Sequence, residues 1–337
     1  MLDQIRAALA EIAAQYADTR TQYCHVTADA LDSGRCTLVG AVLDEATLAN
    51  VLGSLGARFR DVAFGAGGVR VLRGAQPASR TVSTNLVGFY AGPSFDTELV
   101  SQLLNGWTLE LLEERDRWCF LRQPDGYLGW AFRRYLDASV PPAPTHIVCA
   151  PITLLMAKPD IGAAIVTRVP GGAAVAAEPG FGSWSHVSLA GGRSGYAPAS
   201  SLRSLNALPG DPGARRAQMM ADAGRLIGVP YLWGGCTALG IDCSGFAQLL
   251  HRLSGVTIPR DADMQYAAGR LVEPPYSPGD LLFFAEAPGE SKITHVTVSQ
   301  GGTRLIHSSR SSNGVYEDDL ETNADLKARL IGARSYL

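Results

Sequence analysis

Apolar residues fall at helical spacing at the start of the chain: Leu2, Ile5, Leu9, Ile12 and Tyr16 recur every three or four positions, which predicts an amphipathic helix over residues 2–17. Two strands are expected next, at residues 22–30 and 35–43, separated by the hairpin-like turn Asp32-Ser33-Gly34. Asp44 then caps a helix with Leu48, Val51, Leu52, Leu55 and Phe59 on one face, and a strand near Val69–Leu72 completes the order α-β-β-α-β. That order predicts a small α+β domain over residues 1–76. Gly65-Ala66-Gly67-Gly68 lacks the lysine and the third spaced glycine of a phosphate loop, so it reads as a turn.

Residues 75–84, around Gln76-Pro77-Ala78-Ser79-Arg80, have the composition of a linker. After it the pattern repeats. Val100, Gly106, Trp118, Gly129 and Trp130 recur as Val166, Gly172, Trp184, Gly195 and Tyr196, each 66 residues on. Each copy is a run of short strands with glycine-rich turns that ends on a Gly-aromatic strand, which predicts two small β-barrels, at 77–140 and 141–208. Both are similar to bacterial Src-homology-three-type domains, with Pro141-Pro142-Ala143-Pro144 as a stiff joint between them. A barrel of this kind needs its aromatics in its core, so Trp118 and Trp184 are expected to be structural.

The last region, 209–337, opens after Pro209-Gly210-Asp211-Pro212-Gly213 with a helix predicted over Ala214–Gly228 and stopped by Val229-Pro230. Small residues at Asp242-Cys243-Ser244-Gly245 run into a second apolar helix that reaches Leu253 and is closed by Gly255. Strands are expected at Gly279–Phe284, His295–Gln300, Arg304–Ser309 and Ile331–Tyr336. A helix followed by an antiparallel sheet is an α+β core, and the whole chain is therefore a multi-domain α+β protein.

Composition narrows the function classes. Of the 337 residues 46% are hydrophobic and 18% charged, and the formal net charge is -3, with no stripe of Lys and Arg interleaved with aromatics. Neither nucleic acid nor a membrane is an expected partner, and a monomer is expected. The N-terminus lacks the pattern of a secretory signal, so a cytoplasmic location is expected. Six scattered cysteines without Cys-x-x-Cys pairs indicate neither a disulfide framework nor a zinc site, and no metal or cofactor is called for.

Cys243 opens its helix, where unpaired N–H groups and the positive end of the dipole favour a thiolate. A cysteine nucleophile also needs a base and a group to orient that base. His295 at the start of one predicted strand and His307 on the next can supply both if the Cys243 helix packs on their sheet.

Five blocks in order, Pro230-Tyr231-Leu232-Trp233-Gly234-Gly235, Asp242-Cys243-Ser244-Gly245-Phe246, Ile258-Pro259-Arg260-Asp261, Gly279-Asp280-Leu281 and His295-Val296, resemble the NlpC-type papain-like cysteine peptidases. The resemblance covers about the last 125 residues, and the two barrels are similar to those of the subgroup that cleaves γ-D-glutamyl bonds in murein peptides. It implies a triad of Cys243, His295 as base and His307 as orienter, with Tyr231 assisting the oxyanion. It also implies that Asp242 and Ser244 contact the D-glutamyl residue of a murein-derived L-Ala-γ-D-Glu-L-diamino acid peptide, and it carries Trp233, Arg260 and Asp261 into the substrate pocket. A free L-alanyl amine would meet Glu98 and Tyr127 from the first barrel, with Asp96, Tyr90 and Tyr135 as alternatives. Ala262 stands where several relatives carry a small hydroxyl.

Overall fold

The computed structural model describes residues 1–337 and divides them between two compact units, Met1–Arg80 with Thr108–Arg133, and Thr81–Trp107 with Arg134–Leu337. The architecture is α+β throughout.

In the first unit the helix Leu2–Ala13 and the helix Glu45–Arg58 cover a three-stranded sheet of Cys24–Asp32, Arg35–Val42 and Ala63–Val71. The first pair is antiparallel, as its short turn allows, and the second is parallel, with the intervening helix as crossover. Asp44 accepts the Thr47 N–H and starts that helix. Ile5, Leu9 and Ile12 meet Leu38, Val51 and Leu55 in the core. The glycine run Gly65–Gly68 is not a turn: it lies inside the strand Ala63–Val71. A Cβ at Gly68 would stand 2.8 Å from the Leu38 carbonyl oxygen, so the absent side chain is what permits the close parallel approach. Strands Thr108–Arg115, Trp118–Arg122 and Leu128–Phe132 add an antiparallel meander in which Phe120 stacks on Trp130.

Part of the expected linker is also a strand, Ser79–Val82, whose buried Thr81 and Val82 pair with Asp137 and Leu136. In the second unit this pairing is accompanied by the hairpin of Leu86–Tyr90 and Leu99–Leu104. A seven-stranded sheet follows, in the spatial order Ile165–Pro170, Ile152–Met156, Ser194–Pro198, Trp184–Ser188, Ala174–Pro179, His146–Val148 and Leu202–Ser204, around Leu155, Val169, Val175 and Val187. The 66-residue repeat has a backbone cause at Gly106 and Gly172, whose φ of +81° and +86° place both in the left-handed region. Trp118 is buried as expected, but Trp184 is only half-buried.

The C-terminal core of the second unit is a six-stranded antiparallel sheet in the order Arg270–Val272, Leu330–Ser335, Leu281–Ala285, Ile293–Gly301, Arg304–Ser309 and Gly314–Asp319. Helix Cys243–Leu253 lies on one face, with Phe246, Leu249 and Leu250 against Val296, Val298 and Ile306. Leu282, Phe284, Leu305 and Leu326 fill the other face. Helix Pro212–Gly224 is fixed from the seven-stranded sheet by a fork from Arg203 to the buried Asp222, both bonds at 2.9 Å. Sequence patterning did not indicate the short helices Ala262–Ala268 and Ala324–Ala328 or the strand Gly314–Asp319. No helix is long and apolar enough to cross a membrane, and all six cysteines are free thiols.

Candidate active site

The Cys243 helix starts where it does because Asp242 caps it. One carboxylate oxygen accepts the Gly245 N–H at 2.7 Å, the other accepts the Gly234 N–H at 2.9 Å, and the helix start is thereby tied to the loop before it. The same oxygens take a fork from Arg260 at 3.1 and 2.6 Å and the Ser244 hydroxyl at 3.2 Å. Arg260 in turn donates to Ser244 Oγ at 2.8 Å and to Ser101 Oγ at 3.1 Å. Burial works against the guanidinium charge of Arg260, but the Asp242 carboxylate outweighs it and holds the pKa above the usual arginine value. Asp242, Ser244 and Arg260, expected at the substrate, thus form a buried network that fixes the nucleophile's turn. Asp261 precedes the helix Ala262–Ala268, with a carboxylate oxygen 3.9 Å from Arg260 Nη1.

Two glycines permit this packing. Gly234 has φ +75° and a Cβ there would lie 2.2 Å from the Leu99 carbonyl oxygen, and a Cβ on Gly245 would lie 2.2 Å from that of Gly235. Gln102, next to Ser101 on strand Leu99–Leu104, accepts the Cys236 N–H at 2.9 Å through its side chain. Three residues of strand Leu99–Leu104, Leu99, Ser101 and Gln102, therefore shape the nucleophile loop, and no local motif announces them.

At the nucleophile itself, the Val296 backbone N–H, the amide that directly follows His295, favours the anionic form of Cys243 against larger opposing effects. His295 Nε2 lies 2.7 Å from His307 Nδ1. The remaining His295 nitrogen, Nδ1, is the one left to take a thiol proton. For that, His295 must carry its own proton on Nε2 and donate it to His307 Nδ1, which puts the His307 proton on Nε2. Asp318 Oδ2 stands 3.7 Å from that atom and is itself held by the Asn323 amide at 2.8 Å. Asp318 was not anticipated from the sequence, because the strand that carries it was not.

Electrostatics set the resting state. Burial, with the Asp242 charge second, pushes the Cys243 thiol up to about 12. Burial, then His307 and Arg329, pushes His295 down to about 3, although part of that residue remains open to solvent. Burial also lowers His307, against the pull of Asp318. The free protein therefore holds a neutral thiol beside neutral imidazoles, contrary to the thiolate expected from the helix dipole. Burial is the larger cause of the reversal, and Asp242 adds to it: the residue that caps the helix brings a negative charge next to the sulfur. Tyr231 is pushed up to about 12 by burial and by its neighbours Cys243 and Asp242, so its hydroxyl remains a donor at any ordinary pH.

The mouth is aromatic. Trp233 is 49% exposed, and its Nε1 donates to Glu98 at 2.7 Å. Arg310 lies over both rings, 5.0 Å from the Trp233 centroid and 5.7 Å from that of Tyr231. Tyr127 belongs to the other compact unit, where it is buried and its N–H is accepted by Asp125. Of the alternatives, Asp96 lies in a short turn with Ser94, and Tyr90 meets Phe95 edge to face. His251 is fully buried against the Ala247 carbonyl, and His186 faces Glu178. No group of three His, Cys, Asp or Glu side chains is arranged to hold a metal ion.

Comparison with known proteins adds an independent line. The NlpC/P60 family model matches residues 228–335, and the bacterial dipeptidyl-peptidase SH3 domain model matches residues 89–131. The chain is 30% identical over 235 residues to the gamma-D-glutamyl-L-lysine dipeptidyl-peptidase of Bacillus subtilis (strain 168), covering 65% of this chain and 75% of that one. It is 30% identical over 257 residues to dipeptidyl-peptidase 6 of Lysinibacillus sphaericus, covering 70% and 89%. A crystal structure of an NlpC/P60 family protein from Bacillus cereus ATCC 10987 superposes with a TM-score of 0.67 at 22% identity over 77% of this chain and 99% of that one, a likeness of fold.

Proposed function

The chain belongs to the NlpC/P60 family of cysteine hydrolases, and from that premise we propose that it cleaves the γ-D-glutamyl-L-diamino acid bond of murein-derived peptides with a free N-terminal L-Ala, releasing L-Ala-γ-D-Glu. One observation carries the reading beyond the family: Glu98 accepts from Trp233, whose neighbour Gly234 is bonded to Asp242 beside Cys243, so a carboxylate is tied to the nucleophile's loop. A carboxylate held there suits a substrate ammonium, and an ammonium at a fixed distance from the nucleophile selects a dipeptide as the released acyl part.

The chemistry follows from the proton positions. Cys243 Sγ attacks the γ-carbonyl carbon as its proton passes to His295 Nδ1, and His295 Nε2–H holds to His307 throughout. The oxyanion meets the Tyr231 hydroxyl and the unpaired N–H groups at the helix start; losing one such donor costs about two to three decades in rate. The tetrahedral adduct expels the diamino acid amine, which takes the proton from His295. Water, deprotonated by His295, then cleaves the thioester and frees the dipeptide. A neutral resting pair means that the thiolate forms with the attack rather than before it. Turnover of peptide fragments in wall recycling, in the cytoplasm, is the setting that a requirement for a free amine fits.

The test is product analysis with L-Ala-γ-D-Glu-L-Lys and its N-acetylated form. Wild-type protein is expected to release L-Ala-γ-D-Glu from the free tripeptide only, and Cys243→Ala to release nothing. Equal cleavage of the acetylated peptide would replace this reading with a general endopeptidase.

A further inference from the structure

Arg310 sits at the turn between strands Arg304–Ser309 and Gly314–Asp319, exposed and stacked over two rings that lead to opposite ends of the site. Trp233 leads to Glu98, to which it is hydrogen-bonded, and Tyr231 leads to its neighbour Cys243. Arg310 lies over both. Arg310 also shares a side-chain hydrogen bond with Tyr231, and a guanidinium has five N–H donors, so N–H groups remain for an anion.

The covalent order of the proposed substrate makes that position meaningful. In L-Ala-γ-D-Glu the ammonium is at one end, the reacting γ-carbonyl at the other, and the D-glutamyl α-carboxylate branches between them. With the ammonium at Glu98 and the γ-carbonyl at Cys243, the α-carboxylate falls along the stretch that Arg310 overlooks. The other polar groups nearby are committed. Asp242 is anionic and saturated, Ser244 Oγ is held between Asp242 and Arg260, and Arg260 is buried in its fork. Ala262 has no hydroxyl to offer.

We propose that Arg310 binds the D-glutamyl α-carboxylate and makes the enzyme selective for peptides in which that group is a free carboxylate rather than a carboxamide. The inference rests on the function proposed above. It predicts that two otherwise identical tripeptides, L-Ala-γ-D-Glu-L-Lys and its D-isoglutaminyl counterpart, are separated by this one side chain.

The experiment measures kcat/KM for both tripeptides with wild type, Arg310→Ala and Arg310→Lys, alongside thermal midpoints. Loss of a charge-assisted pair is expected to lower Arg310→Ala by about 10- to 100-fold on the carboxylate peptide and by less than about threefold on the carboxamide, with Arg310→Lys between and midpoints unchanged. Equal losses on both peptides, no loss on either, or a wild type that cleaves them equally well would overturn the assignment. A wild type inert on both tripeptides would remove the proposed function and this inference with it, a failure that the wild-type rates alone reveal.

Discussion

Replacing Asp242 by alanine tests whether the buried network, rather than a direct grip on substrate, is this residue's main work. Its carboxylate accepts five hydrogen bonds, from Gly234, Gly245, Ser244 and twice from Arg260, and Arg260 is only 2% exposed. Breaking a buried pair from one side leaves an uncompensated charge and costs about 3–5 kcal/mol; the lost helix cap, about 1 kcal/mol alone, overlaps with that figure because the two share one group. Against a typical stability of about 5–15 kcal/mol this is a large fraction. The assay is urea unfolding of the full chain, with hydrogen exchange of peptides spanning residues 234–250 to localise the effect. The double variant Asp242→Ala/Arg260→Met should recover at least about 2 kcal/mol, because most of the single variant's cost is the stranded guanidinium. A single variant within about 1 kcal/mol of wild type, or a double variant no more stable than the single, would refute the reasoning.

Three further outcomes are expected. With the Cys243 thiol pushed up to about 12, the thiolate is the minor form below that pH, so iodoacetamide alkylation at Cys243 should climb about tenfold per pH unit between pH 7 and 9, and a plateau by neutral pH would contradict the neutral resting state. Asp318→Ala, which removes the anion facing His307 Nε2, should lower kcat by about 10-fold with KM little changed, since imidazole orientation acts on the transition state; an effect confined to KM would place Asp318 at the substrate instead. Gly234→Ala should destabilise by more than about 1 kcal/mol, because it adds a Cβ at φ +75° against the Leu99 carbonyl; an unchanged urea midpoint would show that the loop yields.

What could be read in the chain and what could not follows from the range of the forces involved. The Cys243 helix was legible because cap, apolar spacing and terminating glycine lie within one window, and the closing Gly255 has φ +79°. The 66-residue repeat was visible because Gly106 and Gly172 both have a left-handed backbone. Gly65–Gly68 misled, since a glycine run that permits a close parallel strand has the same composition as a turn. The pairing of Asp242 with Arg260, the reach of Ser101 and Gln102 to the nucleophile loop, and the approach of Asp318 to His307 depend on tertiary placement, which no local pattern encodes.

Asp242 shows how a correct local rule can give the wrong net sign. A helix start favours a thiolate, and a helix start also wants an acidic cap; here the burial that the fold imposes and, after it, the cap's charge both oppose the thiolate. The fold thus holds the nucleophile rigidly while leaving it protonated. Reactivity must then come from what arrives at the site: a carbonyl whose oxygen draws on Tyr231 and the helix N–H groups as the proton crosses to His295. On that account Cys243 is inert toward bystander electrophiles and reactive toward a seated peptide, so a bound dipeptide that fills the acyl subsite without a scissile bond should slow alkylation rather than speed it. Acceleration by such a ligand would mean that binding itself, and not the reacting carbonyl, ionises the thiol.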